Sequence, residues 1–306
     1  MKRKEMPSAF ITTLAVITTS SILTAGAAAA GKEKVLFKFN GKDGAAPIAR
    51  LTFDPAGNIF GVTEYGGSDS AGCFGYGCGT AFKLTRRPNG KWSERVLHSF
   101  DTNGSPTGAV VVDTAGNLYG TDLPADASGL GRVFELTPRA KGKWKVKFIH
   151  RFGGNDGAFP LAGVISDAKG NLYGTTAEGG AHQKCWDSYY QAYVGCGVVF
   201  ELTPGPKGTW KETVLHSVDF VDGFDSWASL TVDAAGNLYG TTALGGTGQC
   251  TDSNGVVIGC GLVFKLTPDA NGKWRETVLH SFQNTASTAS TRTATWCQTL
   301  RVVSME

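Results

Sequence analysis

One ten-residue phrase is written four times in this chain: "DPAGNIFGVT" at 54–63, "DTAGNLYGTD" at 113–122, "DAKGNLYGTT" at 167–176 and "DAAGNLYGTT" at 233–242. Other landmarks keep step with it. From the Asp to the aromatic is six residues in every copy: Asp54–Phe60, Asp113–Tyr119, Asp167–Tyr173 and Asp233–Tyr239. A later Phe stands ten residues before a Trp each time, and that Trp six residues before a His: Phe82–Trp92–His98, Phe134–Trp144–His150, Phe200–Trp210–His216 and Phe264–Trp274–His280. Two gaps vary. The stretch from the last Gly of the phrase to the Phe runs from 14 residues (Gly120–Phe134) to 26 (Gly174–Phe200), and the stretch from the His to the next Asp is 15 or 17. Fixed spacing belongs to paired strands, where a slip of one residue turns the core face to water. Variable spacing belongs to surface loops.

The fixed parts read as two hairpins. "LTVD" alternates into "DAAGN" and leaves through "NLYGTT", the pattern of a type I turn closed by a left-handed glycine. "VFELTP" runs to "KGTW" or "NGKW" and returns as "WKETVLHSF". Four strands in about 60 residues, repeated with one internal geometry, are the signature of a β-propeller. The expected fold is all-β: a propeller-like array of four four-stranded antiparallel blades spanning 31–282, with "VLFKF" at 35–39 as an additional N-terminal strand and closure left open. After Phe282 the pattern stops, and 283–306 reads as a degenerate or flexible tail.

Residues 1–30 begin with Lys2, Arg3 and Lys4, continue through an apolar stretch from Phe10, and end in small residues, the layout of a secretory signal peptide. Without them the chain keeps 26 Lys plus Arg against 25 Asp plus Glu. That balance, with no basic run, argues against a nucleic-acid partner. No apolar run beyond the signal is long enough to span a bilayer. The expected location is outside the cytoplasm: extracellular, cell-surface or periplasmic.

"DAAGNLYGTTALGG", "GCGLVFKLTP" and "GKWRETVLHSF" resemble the tandem repeat called GloVer (Gloeobacter–Verrucomicrobia), over residues 35–282. The resemblance implies an exported, propeller-like repeat domain and no defined activity. "SLTVDAAGNLYGTT" is more loosely similar to an NHL-type blade. That similarity implies the strand order: "LTVD" innermost, then "NLYGTT", then "VFELT", with "WKETVLHSF" outermost. The blade-crossing loops and the loops between second and third strands then share one face, and both variable gaps fall there.

Cysteines mark that face. Cys73 and Cys78 lie in the first repeat, Cys185 and Cys196 in the third, and Cys250 and Cys260 in the fourth; the second repeat has the shortest loop and neither cysteine. Pairs that appear and vanish together fit three disulfides, each within its own loop, in an oxidising compartment. Cys297 is left over. The third loop, "HQKCWDSYYQAYVGC", concentrates Trp186, Tyr189, Tyr190 and Tyr193, aromatic faces with polar tips that suit a glycan or protein ligand.

The crossing loops "GKDGAAP", "TNGSPTG", "NDGAFPLAG" and "VDGFDSWAS" carry Asp43, Asn103, Asp156, Asp222 and Asp225. Asp43, Asp156 and Asp222 are candidate ligands for a hard cation such as Ca²⁺, set against simple turn formation. The repeated histidines read as packing residues, because Phe37 stands where a His would. No nucleophile elbow or phosphate loop is present. The expected function is an exported scaffold that binds a glycan or protein ligand through its variable-loop face. The alternative is an extracellular, Ca²⁺-dependent, lactonase-like hydrolase.

Overall fold

The computed structural model describes residues 33–68, 73–101, 104–123, 129–182, 184–187 and 192–284. The signal segment, Cys297 and the tail from 285 lie outside them. The chain divides into two compact units, Met1–Val35 and Leu36–Glu306, and every strand belongs to the second.

The first sheet is β1 (Thr52–Phe53), β2 (Ile59–Thr63), β3 (Thr80–Arg86) and β4 (Trp92–Ser99). The second is β5 (Ser105–Pro106), β6 (Val111–Val112), β7 (Leu118–Leu123), β8 (Arg132–Pro138) and β9 (Trp144–Arg151). The third contains β10 (Ile165–Ser166), β11 (Leu172–Thr175), β14 (Val198–Pro204) and β15 (Trp210–Ser217), with a separate ribbon of β12 (Cys185–Asp187) and β13 (Ala192–Val194). The fourth is β16 (Thr231–Val232), β17 (Leu238–Thr242), β18 (Leu262–Pro268) and β19 (Trp274–Ser281). Each sheet follows the expected antiparallel four-strand path, and the second gains β5 beside β7. Among the described residues the only helical elements are three 3₁₀ turns.

The repeated phrase is one hydrogen-bonded unit. In the fourth copy Asp233 Oδ1 accepts from the amides of Ala235 and Asn237, and Oδ2 accepts from Asn237 Nδ2 at 2.7 Å and Tyr239 Oη at 3.0 Å. The Asn237 amide leads in holding the Asp233 carboxyl down at about 2. Gly236 closes the turn at φ 83°, where a side chain would be strained. The first copy has Phe60 for Tyr, so it keeps the Asp–Asn bonds without the tyrosine hydroxyl. The first strand of each sheet pairs over two residues and leads directly into this turn.

The last Gly of the phrase has a different task. Gly61, Gly120, Gly174 and Gly240 are the cross-strand partners of Phe82, Phe134, Phe200 and Phe264. Each Phe ring lies over its Gly so closely that a Cβ there would meet ring carbon at 2.6, 2.6, 2.5 and 2.3 Å, respectively. All four rings are buried. A β-bulge falls immediately before each of them, at Ala81/Phe82, Val133/Phe134, Val199/Phe200 and Val263/Phe264. It shifts the outer strand's register so that His98, His150, His216 and His280 oppose the preceding residue.

Sheets are joined by aromatic contacts that step along the array. Phe100 meets Phe134 edge-on at 5.2 Å, and Phe152 meets Phe200 at 5.1 Å. Tyr119 reaches Trp210 and Tyr173 reaches Trp274, each in the following sheet. The additional N-terminal strand is not formed: 35–39 has no strand pairing. A strand of this class pairs with the third strand of its own sheet, as β4 does with β3. Phe37 and Phe39 instead pack on Ile59, Phe82 and Leu84, and Phe39 meets Phe82 at 4.9 Å. At the other end Leu279 is 50% exposed, whereas its counterpart Leu97 is 7% exposed.

Gly174→Ala is expected to destabilise the chain by about 1–3 kcal/mol, because its Cβ overpacks the Phe200 ring. Gly236→Ala strains a turn in open space and leaves its sheet core untouched. Urea unfolding of Gly174→Ala at wild-type stability would contradict the packing assigned to this glycine.

Candidate functional site

The antiparallel order puts the crossing loops and the loops between second and third strands on one edge of the sheets. Isolated bridges tie the two classes together: Ala45 with Tyr65, Ala158 with Glu178, and Phe224 with Leu244. Disulfides join Cys73 to Cys78, Cys185 to Cys196 and Cys250 to Cys260, all within second-to-third connections. Cys185 and Cys196 are buried with Val218 and Phe224, so the third loop is anchored to the crossing loop that enters the fourth sheet.

The second sheet, which lacks cysteines, closes its shorter loop differently. Arg132 Nε and Nη2 donate to Asp122 Oδ1 and Oδ2 at 2.9 and 2.5 Å, with both side chains buried. Asp122 stands where the other copies have Thr63, Thr176 and Thr242. The letters "YGTD" and "GRVF" are the sequence signal for this pair, which the repeat reading passed over.

Of the aromatic candidates, Trp186 and Tyr193 are directly opposed in the β12–β13 register. Tyr189 and Tyr190 lie outside the described residues. The same edge exposes aromatics that were not singled out: Trp227 in a crossing loop is 59% exposed and Tyr76 is 70% exposed, with Tyr65 and Tyr76 rings 5.6 Å apart.

Asp43, Asp156 and Asp222 are not gathered around one point: among the described residues no metal-type cluster contains more than one of them. Each serves its own loop. Oδ1 accepts from the amide three residues earlier, at 2.8 Å from Asn40, 2.7 Å from Gly153 and 2.5 Å from Asp219. The second carboxylate oxygen of Asp156 and of Asp222 lies 3.1 and 2.9 Å from Nε2 of His150 and His216, respectively. Phe37 replaces the His beside Asp43. Asp225, also in a crossing loop, adopts φ 61°. Asn103 lies outside the described residues.

A third group completes three of the four junctions, and sequence reasoning missed it. Two residues after the repeated Trp stand Glu94, Val146, Glu212 and Glu276. Each Glu lies on the outer strand of the following sheet and feels the charge of the crossing-loop Asp before it: Glu94 that of Asp43, Glu212 that of Asp156, Glu276 that of Asp222. Burial first, and the neighbouring carboxylate second, push all three up to about 7. Oε1 of each is buried without a hydrogen-bond partner. Burial lowers His98 and His150. At His216 burial is outweighed by the Asp222 bond and charge and by Glu276, so it is raised. The other face of the histidines is packing: His98, His150 and His280 meet Phe100, Phe152 and Phe282 edge-on at 4.7–4.8 Å.

The model of one protein family, the Gloeobacter/Verrucomicrobia repeat, matches residues 23–186 and 74–299. No curated protein matches. Similar solved structures include a protein of unknown function from Dyadobacter fermentans, at 11% identity and a TM-score of 0.44 over 81% of this chain and 82% of that one. A protein assigned as a gluconolactonase is 17% identical with a TM-score of 0.40, over 75% of this chain and 62% of that one. An α-L-arabinofuranosidase from Clostridium thermocellum is 14% identical with a TM-score of 0.39, over 77% and 72%. This chain thus spans less than two thirds of the gluconolactonase. Likeness at this level concerns the propeller-like fold and carries no activity across.

The raised glutamates set a pH dependence. A carboxyl whose folded value lies above its unfolded one takes up protons on folding, so its contribution to stability falls as pH rises from about 4.5 to about 7. The double variant Glu94→Gln/Glu212→Gln is expected to lose less thermal stability between pH 5 and pH 8 than the parent. Identical pH profiles by differential scanning calorimetry would contradict the burial assigned to these groups.

Proposed function

The chain belongs to the Gloeobacter/Verrucomicrobia repeat family, and on that premise we propose that it is an exported repeat scaffold whose loop edge binds a glycan or protein ligand. The observation that carries this reading is where variation gathers. The strand ladders repeat almost unchanged, while the three disulfides of the described residues, the longest connections and the exposed Tyr76 and Trp227 fall on one edge. A rigid scaffold with adaptable, covalently tied loops on one side is the form of a recognition surface. Exposed aromatic faces supply large contact area at low entropic cost.

Export rests on the basic, apolar and small-residue layout of 1–30 and on the disulfides, which persist in oxidising compartments. No helix of the described residues is long and apolar enough to cross a membrane. The hydrolase reading requires Asp43, Asp156 and Asp222 to share an ion. Their separation into individual junctions favours binding over that chemistry.

Trp186→Ala and Tyr190→Ala are each expected to weaken a ligand identified on a glycan array or from a panel of extracellular proteins by about 2 kcal/mol, if they act as central anchors. Trp227→Ala tests the adjoining crossing loop. Asn237→Ala, on the opposite edge, is expected to leave affinity unchanged at temperatures where it is folded. Unaltered affinity in the Trp186, Tyr190 and Trp227 variants would remove the loop edge as the binding surface.

A further inference from the structure

We propose that His216, Asp222 and Glu276 form a site for one divalent transition-metal ion of the zinc type, clamped between the third and fourth sheets. Three elements contribute: β15 supplies His216, the crossing loop supplies Asp222, and β19 supplies Glu276. One donor atom from each lies within 4.8 Å of the other two, and this is the one such cluster among the described residues. The set is one imidazole nitrogen and two carboxylates. That mixture suits a borderline cation such as Zn²⁺, whereas Ca²⁺ prefers oxygen alone.

Three observations point to a ligand. First, Glu276 Oε1 is buried with no hydrogen-bond partner, beside a second carboxylate. Unpartnered buried oxygens call for an explanation; Glu94 and Glu212 share the feature, but among the described residues only Glu276 belongs to a three-donor cluster. Second, Asp222 is preset. The Asp219 amide holds Oδ1, leaving Oδ2 turned toward His216. Support of this kind orients metal ligands. Third, the repeats supply an internal comparison. The Asp and the Glu occur together at three junctions, as Asp43 with Glu94, Asp156 with Glu212 and Asp222 with Glu276. At the remaining one both are lost together, to Asn103 and Val146. A Glu placed only to keep an edge strand soluble has no reason to follow an Asp on a distant loop. Two carboxylates that face each other across a junction do, and at the fourth sheet alone among the described residues an imidazole nitrogen joins them within 4.8 Å. The first junction has the carboxylate pair without imidazole, since Phe37 takes that place. The second has all three residue types but does not close to the same distance.

The chain itself provides fold-compatible variants. His216→Phe copies Phe37, Asp222→Asn copies Asn103, and Glu276→Val copies Val146. Full-length protein, stripped with EDTA and dialysed, is titrated with Zn²⁺ by calorimetry. Co²⁺ serves as a spectroscopic probe of nitrogen and oxygen ligation. The expected result is one Zn²⁺ per chain, a thermal unfolding midpoint that rises with Zn²⁺, and about tenfold or greater loss of affinity in each of the three variants. Asp156→Asn is expected to bind as the parent does. Absence of Zn²⁺ uptake, binding undiminished in the three variants, or equal loss in Asp156→Asn would each overturn the site. If a variant fails to fold, the parent's own stoichiometry and its Zn²⁺-dependent midpoint still decide the question.

Discussion

The contact on which the rest of the structure depends is the tip of a phenylalanine ring set over a glycine on the neighbouring strand. It occurs as Phe82 on Gly61, Phe134 on Gly120, Phe200 on Gly174 and Phe264 on Gly240. It fixes the register between second and third strands, because a one-residue slip would drive the ring into a side chain. Register in turn fixes the bulge, and the bulge sets which residues of the outer strand face the next sheet. Each ring is then covered from the preceding repeat, by Phe39, Phe100 and Phe152 in the first three sheets. In the fourth, Val218 occupies that position in sequence. Full burial of a Phe contributes roughly 1.5–3 kcal/mol. Four such rings anchor the array, each supported by the repeat before it.

Stability in this arrangement passes from neighbour to neighbour, as in other repeat proteins. Core clusters bridge the first and second sheets, the second and third, and the third and fourth. Two of the carboxylate junctions, Asp156 with Glu212 and Asp222 with Glu276, lie at the second and third of those boundaries, and Asp43 with Glu94 joins the N-terminal segment to the first sheet. A group that ionises or binds a cation there acts on the seam between sheets, not on a sheet's interior. The loop edge can therefore diversify, by disulfide in three repeats and by the Asp122–Arg132 pair in one, without disturbing the aromatic ladder beneath it.

Much of the scaffold was legible because its constraints are local and repeated. Equal spacings gave the strand pairing, and the fourfold Asp-x-x-Gly-Asn gave the turn. The joint presence and absence of cysteines gave the disulfide partners. What escaped notice depended on contacts between repeats. "VLFKF" looks like an outer strand by its letters, yet a strand exists only through its partner; what those residues supply is two rings for the first sheet. Glu94, Glu212 and Glu276 drew no attention, because nothing in their own strand marks them apart from the charges beside them. Their closeness to an Asp more than fifty residues earlier appears only when sheets are stacked. The aspartates were candidate cation ligands set against turn formation; each is held by its own loop amide, and the next sheet's Glu stands close enough to feel its charge. Asp122 and Arg132 were hidden as single-letter departures from a consensus.

The claim that order is handed along the array by these ring-on-glycine contacts is tested most directly by native-state hydrogen exchange, resolved by residue. The amides of β3, β8 and β14 are expected to be protected close to the level of global unfolding. The amides of β18 are expected to exchange through a lower-energy opening, since the fourth sheet carries the exposed face marked by Leu279 and receives Val218, not a phenylalanine. Uniform protection across all four third strands, or highest protection in the fourth sheet, would contradict neighbour-to-neighbour stabilisation.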